Sequence, residues 1–182
     1  MKKLLVLTSI LALTGSALGQ GTVNFINFGI SPAFDGRVTT AAGESAGDTY
    51  WGQLFAGADA GSLAAVGAPV QFSNNASTGA GTGIVNGGTV TIPGIGAGGP
   101  ASVQLRAWAA ASGSSWDEAA ANPTGEFGTS NTITLAATGD PTASPPGTPV
   151  ALAGLEAFTL TVVPEPSTWA LLVLGLGALA IR

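Results

Sequence analysis

Apolar residues collect at the two ends of this chain and thin into short alternating stretches between them. Alternation with a period of two marks a half-buried strand, and Gly, Pro, Asn and Ser between such stretches mark turns. The pattern predicts strands at residues 22–28, 37–38, 49–55, 70–72, 84–85, 89–92, 101–109, 132–135 and 157–163. Within 101–109, Val103, Leu105 and Ala107 fall on one face and Gln104, Arg106 and Trp108 on the other. In the last strand Phe158, Leu160 and Val162 point inward, with Thr159 and Thr161 outward.

Turns are expected at Ser31–Pro32, at Asp35–Gly36 and at residues 86–88, where an Asn-Gly pair tolerates the positive φ of a tight hairpin. Residues 116–121 read as one helical turn or part of a long loop, and the Pro-, Ser- and Thr-rich stretch 138–149 as an extended loop. Short strands with no soluble helix of any length predict an all-β body, an antiparallel β-sandwich or jelly-roll-like fold.

The two apolar ends read differently. Lys2 and Lys3 precede an apolar run at 4–13, and Ala17 and Gly19 supply the small residues that a signal peptidase reads. Residues 1–19 are therefore expected to be a signal peptide, cleaved after Gly19 so that the mature chain begins at Gln20. At the other end, residues 169–181 carry no charge. Their length, roughly 20 Å as a helix, falls short of the ~30 Å hydrocarbon core.

Leu171, Leu172, Val173, Leu174, Leu176, Leu179 and Ile181 together would gain only ~2–4 kcal/mol on insertion. Pro164 and Pro166 block a helix behind them, Ser167 or Thr168 suits its N-cap, and Glu165 suits the positive helix end. Trp169 fits the membrane interface and Arg182 the cytoplasmic side. A single transmembrane helix over about 167–181 is expected, a marginal and temporary anchor, with the body outside the membrane. The body at 20–162 has the length of one domain.

Composition then removes most chemistry. With no His and no Cys, the chain lacks His-dependent triads, thiol nucleophiles, disulfides and nearly all zinc or copper sites. The chain has five basic and ten acidic residues, and removing both ends leaves Arg37 and Arg106 as the basic side chains, which argues against nucleic acid as a partner. The acids Asp35, Glu44, Asp48, Asp59, Asp117, Glu118, Glu126, Asp140 and Glu156 sit mostly among Gly, Ala, Ser and Pro, as solvated loop residues do.

No catalytic residue, metal or cofactor is therefore expected. Asn75 and Ser77 complete a glycosylation sequon. The binding signal is aromatic: Tyr50, Trp51, Trp108 and Trp116 stand out in so plain a body, and Arg106 with Trp108 on one strand face suits a sugar ring.

Residues 163–180, opening with Pro164, Glu165 and Pro166 and running into the apolar helix, resemble the PEP-CTERM sorting signal of exported bacterial proteins. The resemblance implies recognition by an exosortase, a membrane cysteine protease-transpeptidase, with the inner membrane as a transient partner. It also implies a family setting of exopolysaccharide and biofilm production, with exopolysaccharide as a further partner. A single Arg182 stands where the family has several basic residues. The expected protein is exported, anchored through residues 163–182 and then displayed or released, structural and without catalysis. A carbohydrate-binding module of the extracellular polymer is the alternative.

Overall fold

The computed structural model describes residues 19–162. In chain order the strands are β1 (Gln20–Ile26), β2 (Phe28–Ile30), β3 (Ala33–Thr39), β4 (Tyr50–Gly57), β5 (Ala64–Asn74) and β6 (Gly81–Gly96). They continue with β7 (Ala101–Ala109), β8 (Glu126–Thr129), β9 (Ile133–Leu135), β10 (Val150–Ala151), β11 (Glu156–Thr159) and β12 (Thr161–Val162). A 3-10 turn at Ala110–Ser112 and one short helix, α1 (Trp116–Ala121), join β7 to β8.

The body is all-β, as the alternation predicts. One nine-stranded sheet runs β10-β1-β6-β5-β4-β7-β8-β12, with β9 also on β7, and a second sheet runs β11-β3-β2. Pairing is not purely antiparallel, because β1 with β10 and β3 with β11 run parallel. Both sheets feed one core. Val23, Phe25, Leu54, Phe72, Val85, Ile92 and Leu105 come from the large sheet, Val38 from the small one, and Leu152, Leu155 and Leu160 from the C-terminal segment. With no disulfide to constrain the chain, burial of these side chains, each worth ~1.5–3 kcal/mol, is the main source of stability.

Three details differ from the sequence expectation. Residues 86–88 do not reverse the chain: β6 runs through them, and the pairing with β1 slips from Phe25↔Gly88 to Ile26↔Asn86. A bulge replaces the hairpin. Gly88 takes φ +68° and donates to the Asn86 side chain at 3.0 Å, while a Cβ on Gly87 would run into the Phe25 ring. Asp35 and Gly36 lie inside β3, where Gly36 packs so closely that a Cβ would meet Leu155 at 2.5 Å; the reversal falls at the expected Ser31–Pro32 turn, between Ile30 and Ala33. Val162 is 48% exposed, on the outermost strand of its sheet. The alternation breaks at Leu160, where the chain passes from one sheet to the other.

The two sheets are also tied by a polar knot. Asn27, wholly buried between β1 and β2, donates its amide to the carbonyls of Gly36 (2.8 Å, β3) and Gly83 (2.9 Å, β6). Its side-chain oxygen accepts the Val85 N–H at 2.9 Å, and its backbone carbonyl accepts the Gly36 N–H at 2.8 Å. Gly83 presents its carbonyl from φ +71°, where a Cβ would meet the Val38 backbone oxygen at 2.8 Å.

Replacing Asn27 by Ala strands two carbonyls and one N–H in the interior, at ~1–3 kcal/mol for each unpaired group. Urea unfolding should show Asn27→Ala losing at least ~3 kcal/mol. A loss under ~1 kcal/mol would mean that the knot is not a structural tie.

Candidate functional site

The central pair β4 and β7 is covered on both faces. Leu54 lies opposite Leu105 and Ala56 opposite Val103, facing the main core; Trp51 opposite Trp108 and Gln53 opposite Arg106 face the other way. Over that second face fold the 3-10 turn and α1. The helix is capped by Ser115, whose Oγ accepts the Glu118 N–H at 3.3 Å, while the Glu118 carboxylate accepts the Ser114 N–H and hydroxyl, both at 2.8 Å.

Trp116 then drops into an aromatic cluster with Phe55, Trp108 and Phe127, all edge-to-face, at centroid distances of 6.3, 6.3 and 5.3 Å. Within that cluster the expected pair divides. Trp108 is wholly buried, and its indole N–H donates to the Gly113 carbonyl at 3.0 Å, so it holds the segment after β7 in place.

Arg106 reaches a groove. Its guanidinium carbon sits 3.9 Å above the Phe55 ring centroid and 5.1 Å from that of Trp116, and its Nε–H donates to the Gln104 side chain at 3.0 Å. Partial burial lowers its pKa and the charge of Asp117 partly offsets this. The groove encloses about 550 Å³ between β4, the start of β5 and α1, with Gln53, Ser114, Ser115 and Asp117 supplying polar groups. The pattern of the sequence does not pair Trp116 and Gln53 with Arg106. Trp116 belongs to a segment whose path only tertiary packing decides, and Gln53 is linked to Arg106 only by cross-strand register.

The carboxylates are spread over separate local structures. Asp35 forms a bidentate pair with Arg37, with a shortest contact of 2.6 Å, which holds its carboxyl below the usual range. Asp140 accepts the Thr142 N–H and hydroxyl at 2.8 and 2.6 Å, which likewise lowers its pKa. Glu126 accepts the Ala41 N–H at 2.7 Å and the Tyr50 hydroxyl at 3.1 Å, fastening the loop after β3 to β8. Among the described residues no three His, Cys, Asp or Glu side chains come together as a metal site. A second cavity of about 340 Å³, beside Phe25, Val70 and Val90, has no charged side chain among those lining it.

The remaining expected sites, Ala17 of the signal peptide and Pro164 to Arg182 of the tail, lie outside the described residues. Gly19 is described, and its carbonyl accepts the Ala97 N–H at 2.8 Å. Among the described residues no helix is long and apolar enough to cross a membrane. In the sequence, the Pro164-Glu165-Pro166 tripeptide and the apolar run after it follow directly on the described all-β body.

Residues 162–182 match the PEP-CTERM protein-sorting motif. The chain therefore carries the signal of an exosortase substrate, one that implies export and membrane anchoring. No curated protein and no solved structure matches the chain.

Burial, and then the Glu126 carboxylate, push the Tyr50 hydroxyl up to about 12. A raised folded pKa means that the unfolded chain releases this proton first, so this contribution to stability is complete below pH ~10 and is lost as pH rises from there through about 12. Tyr50 is the single tyrosine; its tyrosinate absorbance should therefore titrate near pH 12 in the folded protein and near pH ~10 in urea. Tyr50→Phe should flatten the alkaline fall in the urea midpoint. Coincident titrations with and without urea would remove the Glu126 contact from the account.

Proposed function

We propose that this protein is exported, held briefly at the inner membrane through residues 163–182, and released or displayed by exosortase with its β-rich body as a structural component of the cell surface or extracellular matrix. Signal peptidase is the second processing partner, acting after Gly19. The observation that carries this reading is the sorting-motif match over residues 162–182. The missing His and Cys, together with carboxylates occupied in separate turns and caps, support a role without catalysis. The two-sheet arrangement around one core supports the sandwich reading of the body.

The test is replacement of Pro164, Glu165 and Pro166 by alanine in a host with an exosortase. The full-length precursor should accumulate in the membrane fraction, measured by mass and fractionation. Unchanged maturation and location would sink the sorting reading.

A second reading, carbohydrate binding in the extracellular polymer, is favoured by the groove in which Arg106 and Trp116 meet polar side chains. Its site is Arg106 with Trp116 in place of Trp108. Insoluble polysaccharide should pull down the full chain, and Trp116→Ala should weaken capture about tenfold, the loss of one aromatic contact worth ~1 kcal/mol or a little more. Equal capture of the variant would remove the groove from this role.

A further inference from the structure

Arg106 is the cation of the body that no acid pairs. Among the described residues the ion pair is Arg37 with Asp35, and no carboxylate approaches Arg106 within 4.0 Å. Its Nε–H is taken by Gln104 and its guanidinium is stacked on Phe55. Both Nη groups remain without a hydrogen-bond partner among the described residues. Half-burying a guanidinium among aromatic rings costs solvation and is ordinarily matched by a carboxylate. Here the rings and Gln104 fix the group while its planar fork is left open towards the groove.

We infer that this groove takes an acidic sugar, a ring bearing a carboxylate that the open fork of Arg106 receives in a bidentate contact, with Trp116 against the ring. The inference rests on the carbohydrate reading and narrows it to one substrate class. The carboxylate follows from the guanidinium geometry, which matches two parallel N–H···O bonds. The hydroxylated ring follows from the other walls. Ser114 and Ser115 bring hydroxyls, Asp117 is an acceptor, and Gln53, whose amide nitrogen is engaged by the Gly67 carbonyl at 2.8 Å, keeps a free acceptor oxygen.

An acidic peptide fits less well. The floor strands β4 and β7 are paired on both sides, so the groove has no free strand edge for a peptide backbone. One cation is too few for a nucleic acid. Asp117 sets a limit, because its charge opposes the incoming carboxylate and keeps binding weak and salt-sensitive.

The experiment measures binding of the full chain, purified in detergent, to polygalacturonate and alginate, each beside its esterified form. The ester keeps the ring and removes the charge. At least one acidic polymer should bind about tenfold or more tightly than its ester, the range of a hydrogen bond to a charged group. Arg106→Gln should abolish that preference, and Asp117→Asn should strengthen acidic binding a few-fold, a gain that misfolding cannot produce. Equal binding of acid and ester overturns this inference and leaves the carbohydrate reading standing. Binding of none of the four polymers overturns both. Retention of the preference in Arg106→Gln, or weaker acidic binding by Asp117→Asn, overturns the assignment to this groove.

Discussion

The buried amide of Asn27 is where the small sheet and the large one become a single object. Apolar contacts are tolerant of small slips, and a core built mainly of Val, Leu, Ile and Phe would accept more than one register between two sheets. Three side-chain hydrogen bonds to fixed backbone groups of β3 and β6 are not tolerant in that way. They are satisfied in one relative placement and costly in every other. Gly36 and Gly83 belong to the same device, since each lets backbone or a core side chain come closer than a Cβ would allow. Much of the glycine content of this chain is thus packing geometry.

A second constraint builds the groove. Because β4 and β7 lie in the middle of the large sheet, their outer face also needs cover. The chain supplies it with a six-residue helix that owes its existence to a Ser-Glu cap and an inserted tryptophan. Such a helix is far too short to form on its own. Trp108 pins the entrance to this segment and Trp116 its middle, and Arg106 is caught between the sheet and the helix. The site is a by-product of covering a sheet.

The alternation of Val103, Leu105 and Ala107 made β7 and its inward face legible, as did the strands around Tyr50 and Phe25. The sorting tail was legible for another reason: its order of proline, acid and apolar run is local, and recognition needs nothing beyond it. Illegible were the matters that pairing decides. Asn86 to Gly88 has the chemistry of a hairpin, yet β1 pairs on both sides of it and turns it into a bulge. Trp108 alternates onto the outer face as expected, but whether that face meets solvent depends on residues 110–121, whose short polar and alanine run carries no periodic signal. That Asp117 comes near Arg106 without reaching ion-pair distance is a fact of three dimensions alone.

Leu160 is where the chain leaves one sheet for the other: β11 lies in the small sheet, β12 in the large one, and the leucine between them is buried with its N–H on the Thr39 carbonyl at 2.8 Å. Seen from the tail, this is a mechanical arrangement. A pull applied beyond Val162 first meets the two residue pairs of β12, then the buried leucine, then the parallel pairing of β11 with β3. The load is carried in series by both sheets, so a tethered body behaves as a clasp whose outer link can open while the inner ones still hold the fold shut.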